Sequence, residues 1–304
     1  MNASLAVRAC CQLVTLVLFV ACASSASRTA PARPAPVALP PVENLPPVVQ
    51  PLTPAPQARV FAYTPGLFRY EIRNEATIAA LGGEQRVDTI TTRTVISYRL
   101  TRALGDSIEV QGTVDTFTVA GGHGAPIQPS MQPVPFRFMA TPSGMSAPSV
   151  VDSASVCGAP MSALMVVAHD LLPTIVVPLS NSAEWQDSTV SATCRAMIPV
   201  ISRGSRSSRA EWVVIPADFT DASSHAGYRI LRTTTGTLAG EGQAAGRQVL
   251  LTGTSSSTSA LYVDPVSGVL VGGVGDATTR LIVDTGTQRQ EFVQQLRQHI
   301  VRLP

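Results

Sequence analysis

Lysine is absent from this 304-residue chain: all 22 of its Lys-plus-Arg residues are arginine, and the net charge is only +2. Without lysine there is no phosphate-loop cation, and Gly121-Gly122-His123-Gly124 also lacks the strand-then-helix context of such a loop. Charged residues make up only 14% of the sequence, and the arginines form no basic cluster beyond the short run Arg203 to Arg209. Nucleic acid therefore has no electrostatic footprint here, and that run reads as a solvated turn. Long apolar runs are lacking too. The segment Leu13–Cys22 is about half of the ~20 residues that a membrane-spanning helix needs.

Catalytic patterns are equally scarce. The histidines His123, His169, His225 and His299 are scattered and read as structural. Asp218, Asp221 and His225 lie in a Ser/Ala/Gly-rich loop where Asp makes local turns, which argues against a metal site. Ser255-Ser256-Ser257 lacks the glycine elbow that exposes a nucleophile. Asp284-Thr285-Gly286 resembles the signature of retroviral-type aspartic proteases, but only eighteen residues follow Gly286 and no second copy exists, so it reads as a hairpin turn. No enzyme activity and no cofactor is expected.

What is present begins with an address. Arg8 precedes an apolar segment, Leu13 to Ala21, that has the size of a signal-peptide core and ends in small residues. Val20-Ala21-Cys22 resembles the lipobox of bacterial lipoproteins, with Phe19 departing from the smaller residue usual at that place. The resemblance implies that residues 1–21 are removed, that Cys22 is acylated, and that the chain is anchored in the bacterial cell envelope. Ala23 after the cysteine implies the outer membrane by the enterobacterial sorting rule. The competing reading is an ordinary secretory signal cut near Ala23 or Ala26. Both lead to export.

Residues 22–58 contain ten prolines and almost nothing that could enter a core, so they read as a tether. Fully extended at ~3.1 Å per residue, it would span about 100 Å. Cys157 and Cys194 are the remaining cysteines of the mature chain. In an oxidising compartment this even pair suggests a disulfide, stabilising by roughly 4 kcal/mol on the chain-entropy estimate. Two buried free thiols fit the spacing as well.

Residues 59–304 are long enough for one sizeable core. Period-two alternation dominates: Phe68, Tyr70 and Ile72 alternate with Arg69, Glu71 and Arg73, and Ile90 to Leu100 continues in the same way. Residues 159–172 break the pattern. Pro160 suits a first helical turn, and Met161, Leu164, Met165, Leu171 and Leu172 recur at three and four residues up to Pro173. Phe292 to Leu303 fits either element, with strand preferred. The expected class is mainly β (α+β): a curved antiparallel sheet or half barrel with one main helix packed on it.

By pattern alone, residues 65 to 303 are distantly similar to half barrels of the lipoprotein-carrier type, whose concave face holds acyl chains. The resemblance implies a lipid or other apolar ligand between Met161, Leu164, Met165, Leu171 and Leu172 and a wall including Ile96, Tyr98, Ile108 and Val110. The alternative is a module with a filled core that recognises a protein or glycan partner on its surface.

Overall fold

Alternation becomes architecture once each strand shows one face to a core. On the strand Gly66–Leu81, Phe68, Tyr70 and Ile72 are buried while Arg69 and Arg73 are exposed. On Ile198–Ile215 and His225–Ala244 burial alternates residue by residue over most of the length. The computed structural model describes residues 54–81, 87–121, 134–141, 144–145, 149–150, 171–195, 198–219, 225–244, 246–265 and 268–304.

Among the described residues, twelve strands form one antiparallel sheet. In chain order they are β1 (Gly66–Leu81), β2 (Val87–Arg102), β3 (Ile108–Gly121), β4 (Val134–Thr141), the short β5 (Gly144–Met145) and β6 (Ser149–Val150). There follow β7 (Glu184–Arg195), β8 (Ile198–Ile215), β9 (His225–Ala244), β10 (Arg247–Asp264), β11 (Val269–Asp284) and β12 (Arg289–Leu303). Their spatial order is β5-β4-β3-β2-β1-β12-β11-β10-β9-β8-β7, with β6 also on β4. It is a meander in which β12 returns to pair with β1, so that Ile72 faces Ile300.

The expected main helix packed on the sheet is a correction. Among the described residues there is no α-helix, and the sole helical element is a single 3-10 turn, Ala217–Phe219. Residues 159–170 of the segment read as helix lie outside the described residues. Leu171 and Leu172 at its end form a turn, and Pro173 to Ile175 continue without regular structure. Leu171 and Leu172 are buried without helical backbone. Phe292 to Leu303, by contrast, lies within strand β12.

One face, called inner below, carries the main core. Tyr70, Ile96, Tyr98, Phe136, Tyr228, Ile230 and Ile300 pack there with Phe61, Tyr63, Leu171, Leu172, Ile175 and Leu179 from two irregular segments. The segments are tied to each other by the Arg59–Leu179 bridge, with N–O distances of 2.9 and 2.7 Å. Tyr63 donates to Pro173 O at 2.7 Å and Tyr70 to Leu270 O at 2.5 Å. Burial pushes the Tyr63 hydroxyl's pKa up, while Arg232 and Arg206 pull it back, and the same hydroxyl also acts on Tyr98. Tyr98 is on β2 and Arg206 on β8, six places apart in the sheet, about 29 Å if it were flat. The two segments pack into one core to which strands from β4 (Phe136) to β7 (Trp185) contribute.

A smaller core lies on the outer face. After β8 the chain turns through Ala217–Phe219, and Phe219 packs with Val213, Ile215, Tyr262 and Val271. Gly272 lets it approach, since a Cβ at that position would stand 2.6 Å from the Phe219 ring. The ring also lies 5.3 Å from that of His299. A third cluster, Ile198, Val200, Leu238, Val249 and Leu251, occupies the far end of the inner face on β8, β9 and β10.

Candidate functional site

The residues expected to enclose an apolar ligand are placed as follows. Leu171 and Leu172 are buried in the main core beside Ile96, Tyr98, Ile108 and Val110, and Phe61, Tyr63, Ile175 and Leu179 pack into the same cluster. Met161, Leu164 and Met165 lie outside the described residues. So do Cys22 and Cys157, and Cys194 is on β7 in register with Pro199. Asp284-Thr285-Gly286 forms the β11–β12 turn, where Gly286 N donates to Asp284 Oδ1 at 2.8 Å and Gly286 takes a φ of 77°. Among the described residues, no group of three or more His, Cys, Asp or Glu could hold a metal ion, and no helix is long and apolar enough to cross a membrane.

The outer face offers a different site. Register places Arg93 directly opposite Arg73, and Arg73 directly opposite His299, on the neighbouring strands β2, β1 and β12. The next outward row is Thr91, Glu75 and Arg297. Between the two rows runs an open groove of about 380 Å3, extended over β3 by Thr118. A second depression of about 460 Å3 lies over β2, β3 and β4 beside Arg99, Gln111 and Arg137.

Two guanidinium groups facing each other across a strand pair repel. Glu71, one step along β1, resolves this. Its carboxylate accepts from Arg73 Nε at 2.5 Å and from Arg93 Nε at 2.7 Å, with Arg93 Nη2 on the same oxygen. The Glu71 side chain is 6% exposed, whereas those of Arg73 and Arg93 are 65% and 59% exposed. Burial alone would push the Glu71 carboxyl up, but the hydrogen bonds and charges of Arg93 and Arg73 prevail and hold it below its ordinary range. The result is a fixed anion beneath two outward cations, with a surplus positive charge and several N–H groups facing solvent. Arg297 adds a third guanidinium, 3.8 Å from Asp276.

His299 stands at the edge of this group under Phe219. Burial pushes its imidazole below the ordinary value of 6.5, Arg73 adds to that, and Asp218 and Glu71 pull weakly back. The folded state thus binds a proton less readily than the unfolded chain. Stability is expected to be full above about pH 6.5 and to fall as the pH drops through the lower folded-state value. His299→Gln should flatten that slope in a thermal-melting series from pH 7.5 to 5. An unchanged slope would show that another group sets it.

Sequence reading did not single out this constellation. Glu71 and Arg73 were visible as outward residues of a strand, but their meeting with Arg93, Arg297 and His299 depends on which strands are neighbours. The alternation Arg69, Glu71, Arg73 on one face was the available signal, and it did not specify its partners.

No known protein family and no curated protein matches the chain. Among solved structures, DynF from the dynemicin biosynthesis pathway of Micromonospora chersina is 11% identical, covering 84% of this chain and 90% of its own, with a TM-score of 0.25. The outer membrane protein OprD from Pseudomonas aeruginosa is 8% identical, covering 82% and 97%, with a TM-score of 0.24. Similarity at this level decides neither architecture nor role.

Proposed function

We propose that this chain is an envelope-anchored binding module that takes an acidic glycan in the outer-face groove. The observation that carries the reading is the Arg73–Glu71–Arg93 cluster, in which a buried carboxylate presents two guanidiniums side by side next to Arg297. A planar guanidinium matches a carboxylate or phosphate in two-point fashion, which a lysine does not. Glu75 adds one carboxylate between Thr91 and Arg297, and the groove walls otherwise supply hydroxyls from Thr91 and Thr118 and lack the aromatic anchors that dominate protein interfaces. The alternative is a carrier of an apolar ligand, for which Leu171 and Leu172, buried among Phe61, Tyr63, Ile175 and Leu179, would line the site. Anchorage rests on Cys22 and the lipobox resemblance.

The test uses purified protein and a digalacturonate probe. Exposed pairs contribute little singly, roughly 0.2–1 kcal/mol each. The double variant Arg73→Gln/Arg93→Gln should therefore weaken binding by about tenfold, some 1.4 kcal/mol. Unchanged affinity would remove the groove as the site. For anchorage, Cys22→Ala should move the protein from the membrane to the soluble fraction; continued membrane association with an unacylated N-terminal peptide in mass spectrometry would reject it.

A further inference from the structure

The groove does not stop at β12. Its Arg297 row continues in register through Asp276 to Thr258, Thr233, Ser207 and Gln186 on β10, β9, β8 and β7. The last four are all exposed. The next row carries no charge at all from β11 to β7: Thr278, Ser256, Thr235, Ser205 and Ser188. Gln295, Thr77 and Thr89 extend it over β12, β1 and β2, so it crosses eight strands, ~34 Å. Beyond it stand two exposed arginines, Arg280 on β11 and Arg203 on β8, linked in register through Thr254 and Thr237. Among the described residues neither has a carboxylate partner, in contrast to Arg73, Arg93 and Arg297.

We infer that this face is a track for an extended acidic polysaccharide, running across the strands from the Arg73–Arg93 groove to β7. The inference rests on the acidic-glycan reading and adds the size and path of the ligand. Hydroxyl rows suit a chain that offers hydroxyls along its whole length, and Arg280 and Arg203 supply charge at intervals for its carboxylates. The occupant is a glycan and not a nucleic acid because neither hydroxyl row carries an aromatic side chain on which bases could stack.

The experiment compares the affinities of digalacturonate, tetragalacturonate and octagalacturonate for the full chain. The octamer should bind at least tenfold more tightly than the dimer. Arg203→Gln/Arg280→Gln and, separately, Thr235→Glu/Ser256→Glu should abolish that gain and leave dimer affinity unchanged, with circular dichroism confirming the strand content of both. An octamer no tighter than the dimer, or a gain that survives both variants, overturns the track and leaves the groove reading standing. Failure of every length to bind overturns the groove reading itself. A neutral cello-oligosaccharide or an octathymidylate that binds as well as octagalacturonate also overturns the track as stated.

Discussion

Replacing Leu171 with alanine is expected to remove about 2–5 kcal/mol of stability, as much as a truncation in the centre of a strand. Leu171 belongs to no regular element, yet it is 0% exposed and packs with Leu172, Ile175 and Tyr63 against the inner face. A loop residue normally tolerates truncation because nothing covers it. Here the segment is part of the main core, and a smaller side chain leaves a cavity among packed neighbours. For a domain of this size, Tm should fall by roughly 5–15 °C. A urea midpoint within experimental error of the wild type would show that the segment rests on the core without being part of it.

The second large effect is expected at Glu71. Glu71→Gln removes the charge that holds Arg73 and Arg93 together and leaves two cations facing each other in register. Hydrogen bonds to charged groups contribute about 1.5–3 kcal/mol, and the exposure of both guanidiniums places the loss toward the lower end. The discriminating measurement is a double-mutant cycle in urea. Glu71→Gln should cost clearly less when Arg93 is already glutamine, because the repulsion is then gone. Strict additivity of the two substitutions would mean that the bridge carries no coupling energy. Acidic pH should mimic the substitution. The carboxyl is held below its ordinary value of 4.5, so its contribution is complete above about pH 4.5 and is lost as the pH falls through the folded-state value.

These two residues also mark what the sequence could and could not disclose. Period-two burial on β1 and β2 was readable because each strand keeps one apolar face, and the turn at Asp284-Thr285-Gly286 was readable from its residues. The left-handed φ of 66° at Gly105 and 77° at Gly286 is the conformation glycine supplies most easily. Leu171 and Leu172 misled because apolar spacing reports how often a side chain meets the core and not the backbone shape that brings it there. Glu71 was visible as a polar residue on an outward face. Its burial comes from Arg93, twenty-two residues away, and no local pattern encodes that meeting. The groove shares this property, since it is built from β12, β1, β2 and β3, which come together only because β12 returns to β1.

That return has a kinetic consequence. Arg69 pairs with Leu303, and the thirteen-residue β1–β12 ladder joins segments separated by most of the folded chain. Loop-closure entropy must be met before such distant contacts repay it, so proteins rich in them fold slowly, typically in milliseconds to seconds. Until β12 arrives, β1 has an open edge and Tyr70 lacks the wall contributed by Ile300. A nascent or unfolded form is therefore most exposed to aggregation along β1, and a ribosome or translocation channel that releases the chain gradually would leave this seam to be sealed last.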